Sequence, residues 1–176
     1  CEGFGRQPVE GEGFRGVEVT GRLASFALGA IDEETVRLGG SLGADGASWA
    51  KIAKSLPSAG REEAGVSAAV DFHLAPGDTK VLRFVVSWAA PTWNAGGYNW
   101  AGDAHTFAHM YARFYPCAAE TARYMAREHA ALLRRVLSWQ QTVYTDATLP
   151  VWLRDSLVNN LHLIAECGLW AQKQDP

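Results

Sequence analysis

Hydrophobic and polar residues alternate over much of the first 90 residues, and this two-residue period is typical of β-strands. Three short segments combine the alternation with β-branched or apolar residues: Val17–Thr20, Ser25–Ile31 and Glu34–Leu38. The glycine-rich stretch Gly39–Gly46 predicts turns. Trp49–Leu56 predicts one or two helical turns with Ser48 as the N-cap.

Two longer segments, Ala64–Leu74 and Thr79–Trp88, flank the turn sequence Ala75-Pro76-Gly77-Asp78 and predict a β-hairpin. The second segment places one set of residues on each side of the strand. Val81, Arg83, Val85 and Ser87 lie on one side, and Leu82, Phe84, Val86 and Trp88 on the other. The second side is strongly apolar, as expected of a sheet in a β-sandwich.

Residues 89–103 form a loop sequence rich in Gly, Asn and aromatic residues. Trp93, Tyr98 and Trp100 either face a ligand from this loop or pack across a domain boundary as part of a linker. The packing role is the favoured interpretation.

From Ala104 onward the apolar spacing becomes helical. We predict helices over Thr106–Phe114, Ala118–Tyr144 and Leu149–Gln172. The long second helix has a stripe near helical spacing: Ala122, Met125, His129, Leu132, Leu133, Val136 and Trp139. The third helix starts with Pro150 in its first turn and has one predicted buried stripe: Leu153, Leu157, Leu161, Ile164 and Gly168.

Asn160 is predicted at the edge of the buried stripe of this third helix. An amide on an inward-facing surface needs a buried hydrogen bond or belongs to a site.

The predicted strands precede the predicted helices along the chain. This order predicts an α+β chain with two segregated parts.

Composition excludes several classes of protein. With 48% hydrophobic residues, 20% charged residues and a net charge of −3, the chain has no general affinity for nucleic acid or anionic membranes. No apolar run approaches the ~18 residues of a transmembrane span. Three widely spaced cysteines, Cys1, Cys117 and Cys167, form neither a disulfide framework nor a zinc motif.

A set of motifs in the helical part resembles glycoside hydrolase family 116. In order they are Trp139-Gln140, Asp146, Leu149-Pro150-x-Trp152 and Leu157-x-Asn159-x-Leu161. Upstream, Trp49, the segment Val81–Trp88 and Tyr111-x-Arg113-Phe114 follow the family order. The family includes non-lysosomal glucosylceramidases (bile acid β-glucosidases) and bacterial β-glucosidases, and the resemblance runs from about Trp49 to Trp170.

The resemblance implies an α+β multidomain protein in which an N-terminal β-sandwich precedes the first helices of an (α/α)6 barrel. Residues 1–90 are then the end of the sandwich, 91–103 a linker, and 104–176 the beginning of the catalytic domain. The chain is expected to be a fragment. The rest of the barrel would come from the same parent chain or from another chain.

One position departs from the family. The residue after Asn159 is the nucleophilic glutamate in the family, and here it is Asn160. The family's general acid/base lies beyond Pro176. Retaining glycosidases use two carboxyl groups about 5–5.5 Å apart, and a neutral amide cannot act as the nucleophile. Four explanations remain: a natural pseudo-enzyme, an altered mechanism such as inversion, orientation of a substrate 2-acetamido group, or engineered inactivation. Natural divergence is favoured.

Other polar residues of this helix are spaced as one stripe: Asp155, Asn159, His162 and Glu166. If the stripe lines the barrel, then Asn159, His162 and Glu166 are candidate contacts for sugar hydroxyls. The favoured alternative is a polar face with a His162–Glu166 hydrogen bond. These two residues lack a third ligand nearby, so no metal site and no cofactor are predicted.

The sequence therefore predicts part of a β-glycoside hydrolase with a carbohydrate or glycoside substrate and Asn160 at the nucleophile position. The alternative is a catalytically inactive carbohydrate-binding or structural homologue. Whether the parent is an active enzyme stays open, whereas residues 1–176 alone are expected to be inactive. An interaction subunit of a larger assembly is a third, weaker possibility.

Overall fold

The computed structural model describes residues 3–44, 46–95, 105–160 and 170–172. Its strands are β1 Gly5–Gly11, β2 Phe14–Thr20, β3 Ser25–Ile31, β4 Arg37–Gly40, β5 Val66–Ala69, β6 Arg83–Ala89, β7 Thr92–Ala95, β8 His105–His109 and β9 Trp170–Gln172. The helices are α1 Ala118–Thr145 and α2 Val151–Asn159, with 3-10 turns at Trp49–Lys51 and Met110–Arg113. A β-rich N-terminal part thus precedes the helices, which confirms the α+β prediction at this level.

Three antiparallel sheets organise the strands. The main sheet has the order β1-β2-β3-β6, β4 pairs with β5, and β8 lies between β7 and β9. The predicted strand Ser25–Ile31 is β3 with the same bounds, and Val17–Thr20 is the second half of β2. The predicted strand Glu34–Leu38 is displaced toward Arg37–Gly40, where the backbone pairs with β5.

The main hydrophobic core lies between the main sheet and the first turns of α1. The sheet contributes Val9, Phe14, Ala27, Ile31, Val85 and Ala89, and the helix contributes Ala118, Ala119, Ala122 and Ala126. Because alanine side chains are short, the helix axis can approach the sheet closely along this stripe. This packing fixes the N-terminal end of α1 against the β layer.

The predicted hairpin is wrong in its pairing. The turn at Ala75–Asp78 does form, with the Asp78 amide 3.0 Å from the Ala75 carbonyl oxygen and Gly77 at φ +88°. However, β5 pairs with β4, and β6 pairs with β3. The hydrophobic pattern sets the two faces of a strand but not its neighbour, and here β6 is held next to β3 because α1 covers both strands.

The alternation along β6 is confirmed, but the more apolar side is not the buried one. Val85, Ser87 and Ala89 are buried, whereas Val86 is 70% exposed and Trp88 is 68% exposed. The side of β6 with the smaller residues faces α1. The larger apolar residues of β6 therefore lie on the opposite face of the sheet.

The predicted helix over Thr106–Phe114 is replaced by β8 and a 3-10 turn. The segment His105–His109 alternates ring-bearing residues with the smaller Thr106 and Ala108. Strand β8 gains backbone partners on both sides, from β7 and β9. Only Met110–Arg113 has helical backbone. Within the segment predicted as a linker, Thr92–Ala95 is a strand.

The long helix α1 agrees with its prediction to one residue, but its predicted stripe is buried only at the start. Ala122 is buried, whereas Leu133 is 58% exposed and Val136 is 48% exposed. The sheet supports the first turns alone, so the later turns extend past it. Helical periodicity shows which residues share a face but not how far the supporting surface extends.

The third predicted helix is shorter than Leu149–Gln172. Helix α2 ends at Asn159, and Trp170–Gln172 is strand β9, where the backbone bonds to β8. The predicted buried stripe is also wrong in the described part. Helix α2 has no buried residue, and Leu157 is 45% exposed. Leu161, Ile164 and Gly168 lie outside the described residues. A helix with so few tertiary partners gains little stability beyond its short intrinsic length.

Side chains of the main sheet cap the first turn of α1. The N-cap residue Cys117 makes no side-chain capping bond. Instead, Ser25 Oγ accepts a hydrogen bond from the Ala118 amide at 2.9 Å, and Glu18 Oε1 accepts from the Ala119 amide at 3.0 Å. Ser87 Oγ donates to the Ala118 carbonyl oxygen at 2.8 Å. Strands β2 and β3 thus supply acceptors for two amides that a helix start leaves without intrahelical partners, and β6 adds a bond to a carbonyl group of the same turn.

Candidate functional site

The candidate site lies at the end of α2, and the turn between α1 and α2 positions it. Asp146 follows α1, and its Oδ1 accepts hydrogen bonds from the Thr148 amide at 2.9 Å and the Thr148 hydroxyl at 2.6 Å. These bonds lower the pKa of Asp146 below its ordinary value, with a smaller contribution from the nearby Arg154 guanidinium. The turn is therefore held by an ionised aspartate, and Pro150, the N-cap of α2, has extended backbone.

Arg154 braces α2 against this turn. Its Nε donates to the Leu149 carbonyl oxygen at 2.8 Å, and one Nη donates to the Tyr144 carbonyl oxygen at 3.0 Å. Tyr144 belongs to the last turn of α1, where orphan carbonyls favour a cationic donor. Its hydroxyl also reaches Asp155 Oδ1 at 3.4 Å. The orientation of α2 thus depends on contacts from Arg154 and Asp155.

Asn160 occupies the C-cap of α2 at φ −98° and ψ 8°. Its amide nitrogen donates to the Ser156 carbonyl oxygen at 3.1 Å, and its side-chain Nδ2 donates to Ser156 Oγ at 2.8 Å. The side chain is exposed, so the predicted place at the edge of a buried stripe is wrong. The neutral amide can donate and accept hydrogen bonds but supplies no carboxylate for attack at an anomeric carbon.

Asn159 is also exposed and bonds one turn back. Its Nδ2 lies 3.0 Å from the Asp155 carbonyl oxygen and 2.9 Å from Asp155 Oδ1. The structure therefore brings together Asp155 and Asn159, the first half of the predicted polar stripe. His162 and Glu166 lie outside the described residues.

Sequence reasoning missed the residues that hold this corner. Arg154 and Tyr144 carry no motif of their own, because their partners are backbone carbonyl groups. The sequence offered one weak signal: Arg154 is the fourth residue of α2 and lies ten positions after Tyr144. Such a brace becomes visible only when the angle between the two helices is known.

The aromatic residues predicted for the loop are only partly described. Trp93 is half-buried on β7, and its ring centroid lies 5.8 Å from that of Phe107 on β8. Tyr111 Oη donates to the Ala90 carbonyl oxygen and accepts from the Ala90 amide, both at 2.7 Å. Tyr98 and Trp100 lie outside the described residues. Trp93 and Tyr111 therefore tie this region together by packing and hydrogen bonding.

Neither a metal cluster nor a membrane helix is found in the part of the chain that the structure describes. No three His, Cys, Asp or Glu side chains are grouped there to hold a metal ion. No described helix combines the length and apolarity needed to cross a bilayer.

Comparison with known families gives a match over residues 23–132 to the N-terminal domain of glycosyl-hydrolase family 116, described as beta-glucosidase 2. The match covers more than half of the chain, from just before β3 to Leu132 in the middle of α1. The chain belongs to glycoside hydrolase family 116. No solved structure matches the chain.

Proposed function

We propose that the chain is part of a glycoside hydrolase that acts on β-glycosides in the manner of a β-glucosidase or glucosylceramidase, with Asn160 at the nucleophile position. The observation that carries this proposal is the family match, which ends at Leu132 inside α1. The same helix continues to the Asp146 turn and to α2, where the quoted family motifs lie. The parent's substrate is then a glycoside bound near Asn160.

The proposed architecture is a β-sandwich that ends near residue 90, a linker over 91–103, and the first helices of an (α/α)6 barrel over 104–176. Exposed apolar residues on the later turns of α1 and on α2 support it: Leu133, Val136, Leu137, Trp152 and Leu157 are each between 45% and 71% exposed. Helices in a barrel bury such residues against their neighbours. The remaining helices would come from the same parent chain or from another chain.

The chemistry at Asn160 decides between an altered enzyme and an inactive homologue. A retaining mechanism needs a carboxylate at this position. The amide of Asn160 keeps the hydrogen-bonding capacity but lacks the charge, so it can orient a sugar or a 2-acetamido group without forming a glycosyl intermediate. The alternative proposal, a pseudo-glycosidase that binds carbohydrate, is favoured by this neutral amide.

The test is hydrolysis of aryl β-glucosides and aryl β-N-acetylglucosaminides by the full-length parent, by Asn160→Glu, and by the matched control Asn159→Glu. Hydrolysis by the wild type supports an active enzyme that uses another group. Hydrolysis by Asn160→Glu alone supports a site whose nucleophile has been replaced. Hydrolysis by none of the three proteins supports the pseudo-glycosidase. Hydrolysis gained equally by Asn159→Glu contradicts the assignment of Asn160 to the nucleophile position.

A further inference from the structure

We propose that the β layer carries a binding cleft for one neutral sugar residue, formed where β4, β5 and β6 meet. The cleft has a volume of about 380 Å³ and includes Arg37 of β4, Asp71 and Phe72 after β5, and Phe84 of β6. This volume is at the lower end of the range of about 300–1,000 Å³ for ligand pockets, so it suits a single ring better than an extended chain.

The polar groups of the cleft are a fixed ion pair. Arg37 Nε donates to Asp71 Oδ2 at 2.6 Å, and one Arg37 Nη donates to Asp71 Oδ1 at 2.8 Å. The same guanidinium donates to the Ile52 carbonyl oxygen at 2.8 Å, which sets its plane. These hydrogen bonds lower the pKa of Asp71 and raise the pKa of Arg37, so both groups stay charged.

This pair retains acceptor capacity toward solvent. A carboxylate has about four lone-pair sites, and Arg37 uses one on each oxygen. The Asp71 side chain is 63% exposed, so the remaining sites are accessible to a ligand hydroxyl. Because Arg37 is locked in place by two partners, little side-chain entropy is lost when a ligand binds here.

Two exposed aromatic rings supply the apolar side of the cleft. Phe72 is 51% exposed and Phe84 is 46% exposed, although both are large apolar residues. The faces of aromatic rings attract C–H groups that carry partial positive charge, since the ring face is negative. A pyranose has such C–H groups on its ring faces and hydroxyl groups around its rim. The C–H groups can pack on Phe72 or Phe84 while a hydroxyl group donates to the Asp71 carboxylate.

Charge selects the class of ligand. Arg37 and Asp71 compensate each other, so the cleft has no net charge to attract an anion or a cation. A neutral polyhydroxylated ligand needs no net charge in the cleft and can bond to the Asp71 carboxylate. Because the chain belongs to a glycoside hydrolase family, sugars are the expected ligands of this kind. The choice of sugars rests on family membership but not on catalysis at Asn160. Sugar binding in this cleft and hydrolysis by the parent can therefore fail independently.

The test is an amide NMR titration of the 176-residue chain with methyl β-glucoside, methyl β-galactoside and N-acetylglucosamine, each in turn. We expect at least one of these sugars to give saturable shifts at Asp71, Phe72 and Phe84. The variants Phe84→Ala and Asp71→Asn should weaken binding by about fivefold or more, as expected for one lost ring contact or one charge-assisted hydrogen bond.

Phe26→Ala is the matched control, because Phe26 is 45% exposed on the same sheet face but does not line the cleft. Its affinity should stay within about twofold of the wild type. Phe72→Ala replaces Asp71→Asn if the latter unfolds, since Phe72 lies outside the strands. The proposal is overturned if no sugar gives saturable shifts, if the shifts map elsewhere, or if Phe26→Ala weakens binding as much as Phe84→Ala.

Discussion

Two glycines face each other across β2 and β3 and let Phe14 enter the core. Gly16 pairs with Gly29, and a Cβ on either residue would lie 2.6–2.7 Å from the Phe14 ring. A Cβ on Gly16 would also lie 2.3 Å from the Leu28 carbonyl oxygen, which belongs to the backbone and cannot move aside. The Phe14 ring therefore occupies the space that a side chain at either glycine would need.

Gly16→Ala should destabilise the protein by about 1–3 kcal/mol through overpacking. Gly5→Ala is the matched control, because its new Cβ would lie 3.8 Å from its nearest neighbour, an ordinary contact. The control should be neutral or slightly stabilising, since alanine reduces the entropy of the unfolded chain. Urea unfolding monitored by tryptophan fluorescence measures both. Equal stability of Gly16→Ala and wild type would show that Phe14 is not confined as described.

At the scale of the element, α1 begins where the sheet provides hydrogen-bond partners. The sequence predicted the bounds of α1 to one residue and those of β3 without error, because α1 has a long helical period and β3 is a continuous, mostly apolar segment. It did not predict that β6 neighbours β3, nor that Ser25 and Glu18 cap the helix. Those features depend on contacts between residues far apart in the chain, which no local period encodes.

Ser25→Ala should cost about 1–3 kcal/mol of stability, because the Ala118 amide loses its acceptor in a buried place. Ser138→Ala is the control. Ser138 is an exposed serine of the same helix, and its replacement should change stability by no more than about 0.5 kcal/mol. Thermal unfolding followed by circular dichroism measures the difference. A Ser25→Ala protein as stable as Ser138→Ala would mean that the cap contributes nothing.

At the scale of the whole molecule, burial is concentrated at one end. All buried residues of α1 lie in Ala118–Ala126, and α2 has none. The candidate site at Asn160 therefore lies at the less supported end of the described chain. The residue types of that site could be read from the sequence, but their exposure could not, since it depends on which surfaces meet the helix.

Hydrogen exchange should separate the two ends of α1. Amides after Leu132 should exchange at least about tenfold faster than those of residues 122–128, a difference of about 1.4 kcal/mol in opening free energy. The reason is that the later turns have no buried side chains to hold them closed. Mass spectrometry of peptides from the 176-residue chain measures this. Uniform protection along α1 would show that another surface, such as a second copy, covers its later turns.

The capping of α1 by the sheet also bears on the order in which the chain is made. Ser25 and Glu18 precede their partners Ala118 and Ala119 by 93 and 101 positions. During synthesis the strands leave the ribosome well before the helix does, so the acceptors already exist when the helix start emerges. In a circular permutant that places α1 before these strands, the first amides of α1 would be open to water when the helix emerges. Hydrogen exchange of ribosome-stalled chains of each order would compare the protection of these amides.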